Sequence, residues 1–311
     1  MAKPSIETHD FAASPTTSKS FTIPSNTWMI DIVGRGLGFA SSHSIDARFG
    51  SVSTSSYLRS YHTGLADDVD KLTRISVGAA STSAGSGFGL RIYAPELVAP
   101  TPWFHEAVNT GTTSVNISAG IQNDVTAFSD FEIFSFSGGT INAGDVWVTY
   151  HKRTNEIIES VDFGAAAASS HDFTGVTNRN SLVLVSKGLA GASSSGTPRV
   201  SVSTDGVSFD QGATDYKHNE MNVNNNVGGD SAYLHSVGFD SLTNDFLCIM
   251  ENGRAAGPTS LIHGISADDA DTGPRHQNAY RNSTDKHSGY RVEKSDATDF
   301  DAGVLWLLGA K

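Results

Sequence analysis

The sequence contains a long internal repeat, and this repeat constrains the fold more than any other feature. Phe21 to Leu37 reads FTIPSNTWMIDIVGRGL, and 152 positions later Phe173 to Leu189 reads FTGVTNRNSLVLVSKGL. A second pair of similar segments is Ile141 to Lys152, INAGDVWVTYHK, and Phe300 to Lys311, FDAGVLWLLGAK. Solenoid repeats recur every 20 to 50 residues or so. A period this long therefore predicts a duplicated domain and not an array.

The two pairs of repeated segments set the predicted domain boundaries. Two β-domains, residues 21–152 and 161–311, are expected to be joined by a short charged linker, 153–160. Residues 1–20 contain two prolines and a Ser/Thr cluster, which predicts an extended N-terminal arm. Such an arm is either a frayed terminus or a segment that docks on a neighbouring subunit.

The chain between these landmarks has the composition of β-structure. Short β-branched and aromatic runs alternate with clusters of Gly, Pro, Asn and Ser, a pattern typical of sandwiches and barrels. We predict an all-β chain of two tandem antiparallel β-sandwiches of jelly-roll-like type. The glycines at 34, 36 and 38 are not a dinucleotide fingerprint, because no helical period follows them, and we interpret them as a turn ending a strand. SVSTDGVSFD, from Ser201 to Asp210, predicts a hairpin at Asp205-Gly206, and it also resembles the Asp-box hairpin of sialidase-like propellers.

Charge and hydropathy exclude two classes of partner. The chain carries 21 Lys and Arg against 33 Asp and Glu, a net charge of -12, without a basic stripe. Nucleic-acid affinity comes largely from Lys and Arg that release counterions, so no nucleic-acid partner is expected. No apolar stretch is long enough to insert in a membrane, and the N-terminus has no apolar signal-peptide core.

Residue patterns for catalysis and for metal binding are weak. Asp268, Asp269 and Asp271 could offer oxygen ligands to Ca²⁺, but the EF-hand spacing is missing, and a solvated acidic loop is the better interpretation. Cys248 has no second cysteine to complete a zinc site, and no nucleophile elbow occurs. We therefore predict no catalytic residue, no metal and no cofactor.

Two predicted loops carry the residue types that contact sugars. The loop 94–105 is rich in proline, and residues 266–290 form the longest stretch without clear strands, a length that is functional or disordered in compact domains. The candidate glycan contacts from these loops are Trp103, His105, Tyr280, Arg281, Asn282 and Tyr290. Each of them could equally be a core anchor.

Taken together, the repeated strands at Phe21 and Phe173, the closing strands at Trp147 and Trp306, and the polar loops resemble tandem β-sandwich virion proteins of tailed bacteriophages. Fibre, spike, decoration and tail-adaptor proteins are of this kind. The resemblance implies a non-enzymatic structural protein of the virion that forms a homo-oligomer, binds other virion proteins and contacts a host surface polysaccharide. The alternative is a stand-alone carbohydrate-binding module or a glycan-degrading enzyme.

Overall fold

The computed structural model describes most of the chain. The described residues are 3–41, 43–54, 56–63, 66–80, 86–109, 114–174, 176, 179, 181–191, 196, 198–222, 225–233, 235–236, 244–250, 261–268, 275–281, 285 and 287–311. They divide into two compact units, Met1–Asn155 and Glu156–Lys311. Every described strand pair is antiparallel, and no helix occurs in this part of the chain. The all-β prediction is confirmed.

The described residues of the first unit form twelve strands. They are β1 (Ser5–Asp10), β2 (Ser18–Thr22), β3 (Thr27–Phe39), β4 (His43–Phe49), β5 (Tyr57–Thr63), β6 (Ala66–Leu72), β7 (Ile75–Ala80), β8 (Ser86–Tyr93), β9 (Thr101–Asn109), β10 (Ser114–Gln122), β11 (Asp130–Ser135) and β12 (Ile141–Lys152). The eight-stranded sheet has the order β1-β12-β3-β8-β9-β10-β5-β6, and the four-stranded sheet has the order β2-β11-β4-β7.

The second unit repeats this architecture strand by strand. Its strands are β13 (Asn155–Asp162), β14 (Ser170–Thr174), β15 (Ser181–Gly191), β16 (Pro198–Ser203), β17 (Tyr216–Asn222), β18 (Asn225–Ser231), β19 (His235–Ser236), β20 (Asn244–Met250), β21 (Leu261–Asp268), β22 (Arg275–Arg281), β23 (Gly289–Lys294) and β24 (Phe300–Ala310). Its sheets have the orders β13-β24-β15-β20-β21-β22-β17-β18 and β14-β23-β16-β19. Each label is that of the first unit plus twelve, so the two units share one topology.

In each unit the core lies between the large and the small sheet. In the first unit Phe21 and Phe131 of the small sheet stack at 5.1 Å and belong to the same buried cluster as Ile30 and Leu90 of the large sheet. The second unit has a corresponding cluster of its own. Burial of large apolar side chains from two facing sheets is the stabilising principle of a β-sandwich.

The first twenty residues are not an arm. β1 pairs with β12 from Ser5↔Tyr150 to Asp10↔Asp145, and β2 pairs with β11. Between these two strands Phe11 is completely buried. The segment therefore crosses from one sheet to the other and fills the core of its own unit.

The predicted linker and loops also contain strands. The predicted linker, 153–160, overlaps β13 from residue 155 onward, and β13 lies beside β24 in the sheet. The proline-rich segment 94–105 runs into β9, and the segment 266–290 contains β22 and the first residues of β23. The sequence analysis missed these strands because proline and charged residues argue against a strand interior. Such residues are nevertheless tolerated where a strand begins or lies at an edge.

A tyrosine anchors one connection in each unit. Tyr57 Oη accepts a hydrogen bond from the backbone N–H of Phe49 at 2.8 Å, and Tyr216 Oη accepts one from Val202 at 2.9 Å. The two partners are separated by 8 residues in the first unit and by 14 in the second, so the second connection is six residues longer. The extra length contains the predicted Asp205-Gly206 turn, in which Asp205 Oδ1 accepts the N–H groups of Val207 and Ser208.

The glycines of the repeat form a bulge between two central strands, and they do not form a turn. β3 continues through Gly34, Gly36 and Gly38 to Phe39, and the pairing register shifts there. Gly36 (φ +63) faces Gly144 (φ +85), and a Cβ on Gly144 would lie 2.4 Å from the carbonyl carbon of Gly36.

The second unit repeats this contact. Gly188 (φ +61) faces Gly303 (φ +91), whose Cβ would lie 2.4 Å from the oxygen of Gly188. Both conditions, the left-handed backbone and the backbone contact, require glycine.

Substitution of these glycines tests the bulge. We expect Gly144→Ala and Gly303→Ala each to lower the free energy of unfolding by about 3 kcal/mol, because backbone strain adds to a backbone clash. Gly138→Ala is the matched control: Gly138 has φ +78, but a Cβ there would meet nothing within 4 Å. Urea unfolding should show a loss of only about 1 kcal/mol for the control. Equal losses in all three variants would contradict the steric role.

Candidate functional site

The outward face of the first unit's large sheet presents polar and aromatic side chains in an ordered array. Along β3, β8 and β9 the buried residues alternate with residues that point away from the core. The buried set is Ile30, Ile32, Leu90, Ile92, Trp103 and His105. The outward set, extended into β12, is Asp31, Val33, Gly89, Arg91, Phe104, Glu106, Trp147 and His151, and we call it the platform.

Strand register brings the platform residues side by side in two rows. One row runs across the sheet through Trp147, Val33, Gly89 and Glu106. The neighbouring row runs through Thr149, Asp31, Arg91 and Phe104. Directly opposed residues on one face of a sheet have their Cβ atoms about 5 Å apart, so each row is a continuous surface.

A hollow lies in the platform at Gly89. Because this residue has no side chain, the space between Val33 and Glu106 is open, and a Cβ on Gly89 would meet no atom within 4 Å. The hollow measures about 370 Å³ and is lined by residues of both rows, including Asp31, Arg91 and Phe104. This volume is within the range of small-molecule sites, roughly 300 to 1,000 Å³.

Asp31 is the electrostatic centre of the platform. Its Oδ1 accepts a hydrogen bond from Arg91 Nε at 2.6 Å, and its Oδ2 lies 2.8 Å from His151 Nε2. Burial acts to lower the pKa of Arg91, but the hydrogen bond and charge of Asp31, together with the interactions of Tyr93, outweigh it and raise the pKa above its usual value. The guanidinium is therefore a fixed cation whose side chain is 43% exposed.

The array suits a ligand with many hydroxyl groups. Carboxylate oxygens of Asp31 and Glu106 can accept hydrogen bonds, Arg91 and His151 can donate them, and Trp147 and Phe104 offer apolar rings of the kind that stack on a sugar face. General-acid catalysis is a different matter, since it needs a protonated carboxyl group. Both oxygens of Asp31 are already engaged, Oδ1 by Arg91 and Oδ2 by His151, so this carboxylate holds the two donors in place on the platform.

The second unit carries apolar residues at the positions that correspond to Asp31 and Arg91. The pair Trp147–Val33 corresponds to Trp306–Val185, so Asp31 corresponds to Val183 and Arg91 to Ile249. Val183 and Val185 are completely buried, and Trp306 is 7% exposed. At the positions that the structure describes in both units, the duplicated topology therefore carries Asp31 and the exposed Val33 in the first unit and the buried Val183 and Val185 in the second.

The two site residues predicted in the first unit lie under the platform, in the core. Trp103 is completely buried in β9. His105 is 2% exposed, and its ring nitrogens lie 2.9 Å from Ser118 Oγ and from the carbonyl oxygen of Val77. Neither side chain can contact a glycan, because strand alternation turns both inward.

The four predicted in the second unit do not form an exposed cluster either. Tyr290 is completely buried in the core, and Arg281, 8% exposed, is paired with Asp210. Tyr280 lies in β22, but its side chain is outside the described part, as is all of Asn282. Both buried side chains are excluded as glycan contacts by their burial.

The weak calcium candidates remain a prediction. Asp268 is the last residue of β21, and Asp269 and Asp271 lie outside the described residues. Within the described part of the chain, no group of three or more His, Cys, Asp or Glu side chains is arranged to hold a metal ion.

A sequence signal for the platform exists. In TWMIDIV and GLRIY, a single charged residue interrupts each apolar run at a position that alternates with buried isoleucine or leucine. Period-two reading places Asp31 and Arg91 on outward faces. Their adjacency cannot be read in this way, because it depends on the pairing of β3 with β8, strands separated by four others in the chain.

Comparisons with known proteins identify no family. No protein-family model and no curated protein matches the chain. Among solved structures, domains LG4-5 of the mouse laminin alpha1 chain are 10% identical, with 100% of this chain and 92% of that chain covered and a TM-score of 0.23. The turret protein A223 of Sulfolobus turreted icosahedral virus is 10% identical, with 94% and 97% covered and a TM-score of 0.14. TM-scores this low carry no argument about ligand or assembly, and the sandwich architecture rests on the strand pairing itself.

None of the described residues belongs to a helix long and apolar enough to cross a bilayer.

The two buried histidines predict acid sensitivity. Burial lowers the pKa of His105 to about 4, and burial together with the charge of Arg281 lowers the pKa of His287 to about 4. Unfolded histidine titrates near 6.5, so below that pH the unfolded chain binds more protons. Stability should therefore fall as the pH drops from about 6.5 to about 4, by up to about 3 kcal/mol for His105.

Urea midpoints at pH 7 and pH 4.5 measure this effect. The midpoint of the wild type should fall between the two pH values, and His105→Gln should reduce that fall, because glutamine does not titrate. If the urea midpoint fell by the same amount in His105→Gln as in the wild type, His105 would not be a residue that takes up a proton on unfolding.

Proposed function

We propose that this protein is a non-enzymatic structural component of a virus particle, of the tailed-phage surface or tail type, and that its first unit binds host surface polysaccharide through the platform. In this proposal it is made in the host cytoplasm and becomes part of the virion. There it contacts other virion proteins and further copies of itself. The second unit serves assembly and does not bind glycan.

The observation that carries the proposal is the contrast between the two outward faces. Related positions carry Asp31, Arg91 and an open hollow in the first unit, and Val183 and Ile249 in the second. Folding alone does not require the polar set, since the second unit reaches the same topology without it. A function of the first unit alone accounts for the difference.

The particle assignment is supported by the architecture and by composition. Each unit is a complete sandwich with a core of its own. Only 17% of the residues are charged, and the net charge is -12. Weak single-site contacts suffice on a particle, because many copies act together on a repetitive surface.

Glycan cleavage is the competing function, since Asp31 and Glu106 both line the hollow. Two opposed carboxyl groups are the usual requirement of a glycosidase, and one of them must donate a proton. Asp31 is engaged by Arg91 and His151. Both oxygens of Asp31 are therefore occupied by side-chain donors of the platform, and release of reducing ends from a bound polysaccharide would favour the enzyme instead.

A matched pair of arginine variants tests the platform. On an array of bacterial surface polysaccharides, Arg91→Ala should weaken binding by about 10- to 100-fold, because it removes a charged hydrogen-bond donor and leaves Asp31 with one partner fewer. Arg291→Ala should bind as the wild type does. Arg291 is also paired with an aspartate, Asp172, but lies on the small sheet of the second unit.

Three outcomes have separate meanings for this experiment. Selective loss in Arg91→Ala, with unchanged thermal unfolding, supports the platform. Equal loss in both variants contradicts it. Absence of any binding by the wild type across the array removes the glycan part of the proposal.

A further inference from the structure

We infer that the polysaccharide bound by the platform contains acetamido sugars, and that the acetamido group of one such sugar occupies the hollow at Gly89. This inference rests on the proposed function of the platform and names the class of its ligand. Three observations support it. The fold does not require a glycine at this position, the polar side chains around it complement an amide, and an apolar wall complements a methyl group.

Gly89 is a glycine that the fold itself does not require. It lies in the interior of β8, where glycine weakens a strand because it has no side chain to pack. Unlike Gly144, it does not have a left-handed backbone, and a Cβ on it would meet no atom within 4 Å. Gly89 lies opposite Val33. In the second unit Leu247 lies opposite Val185, so leucine occupies the corresponding position. A strand glycine without a steric cause often marks the close approach of a ligand.

Two polar side chains of the hollow complement an amide group. Glu106 lies directly opposite Gly89 on β9 and is exposed, so its carboxylate can accept the amide N–H. Arg91, two residues along β8, can donate to the amide carbonyl oxygen. Its Nε donates to Asp31, and it also interacts with Tyr93. A guanidinium has more N–H groups than these two contacts use, and this side chain is 43% exposed, so donors remain for a ligand.

The rest of the wall complements a methyl group. Val33 lies on the side of Gly89 that faces away from Glu106 and is 49% exposed, and Phe104 is half-buried in the neighbouring row. A methyl group placed against these side chains removes apolar surface from water, which is favourable. An acetamido group combines this methyl group with an N–H donor and a carbonyl acceptor. A hydroxyl group at the same place on the sugar would leave the apolar wall uncovered.

Charged substituents fit the hollow less well than the neutral acetamido group. A sugar carboxylate would attract Arg91 but would lie close to the carboxylates of Asp31 and Glu106, and like charges repel each other. The net charge of -12 on the chain also opposes the approach of an acidic polysaccharide. A free amino group would suit the two carboxylates but would be repelled by the guanidinium. The acetamido group offers each of these side chains a partner without adding a charge.

Removal of the acetyl groups from the ligand tests its chemical class. On the array of bacterial surface polysaccharides, the wild type should bind polymers that contain acetamido sugars. Alkaline N-deacetylation of a bound polymer should weaken binding by about 10- to 100-fold, because the methyl contact and the amide hydrogen bonds are lost together. Renewed N-acetylation with acetic anhydride should restore binding, which excludes damage to the polymer as the cause of the loss.

Filling the hollow from the protein side tests the place of the acetamido group. Gly89→Leu should weaken binding of the same polymer by about 10- to 100-fold, and Gly89→Ala should weaken it less, because less of the hollow is filled. The urea midpoint of Gly89→Ala should not fall, since alanine is compatible with this backbone. Gly78→Ala is the matched control and should bind as the wild type does. Gly78 lies in β7 of the small sheet, and a Cβ there would also meet nothing within 4 Å.

Each outcome decides the inference. Binding only of polymers without acetamido sugars overturns it, as does binding that is unchanged by N-deacetylation or by both Gly89 variants. If Arg91→Ala still weakens binding in these cases, the proposed function of the platform stands and only the ligand class is wrong. Absence of any polysaccharide binding by the wild type removes the proposed glycan function and this inference together.

Discussion

The close contact of two glycine backbones between central strands is the constraint on which each sandwich depends. Gly36 lies against Gly144 in the first unit and Gly188 against Gly303 in the second, each with a left-handed backbone. The same bulges accept the incoming chain, because the carbonyl oxygens of Gly144 and Gly303 bind the N–H groups of Phe11 and Phe163, both at 2.9 Å. The connection from the large to the small sheet, with its buried phenylalanine, is thereby fixed at this point.

A scaffold held in this way leaves its outward face free to diverge. The residues that face the core are apolar in both units, since both must bury a comparable interior. The outward positions differ in kind, with an aspartate, an arginine and an open hollow in one unit and valine and isoleucine in the other. The two units therefore share one strand order and differ in the residues at these outward positions.

The sequence predicted the architecture well and the site poorly. The repeat at Phe21 and Phe173 and the period-two alternation give the all-β class and two similar halves. The prediction of an N-terminal arm was wrong, although the sequence contains the evidence against it. The segments ETHDFAASPTTSKSFT at 7–22 and ESVDFGAAAASSHDFT at 159–174 share Glu, Asp, Phe, Ala, Ser, Phe and Thr at the same offset as the rest of the repeat. That match places the N-terminal segment inside the repeat.

Four of the six predicted glycan contacts, Trp103, His105, Arg281 and Tyr290, are buried, and this has a physical reason. Aromatic side chains such as Trp103 and Tyr290 are large and mainly apolar, and such side chains are on average highly buried. The platform depends on register between strands that are distant in sequence, and residue types alone do not give that register.

The number of oligosaccharides bound per chain, and the affinity of Arg91→Ala for them, test whether the platform is the binding site. Isothermal titration of the full chain, with a short oligosaccharide chosen from the polysaccharide array, should give one site per chain, and Arg91→Ala should weaken it by about 10- to 100-fold. Two equivalent sites per chain, or one site with the same affinity in Arg91→Ala, would contradict the platform, because binding would then not depend on the polar face of the first unit.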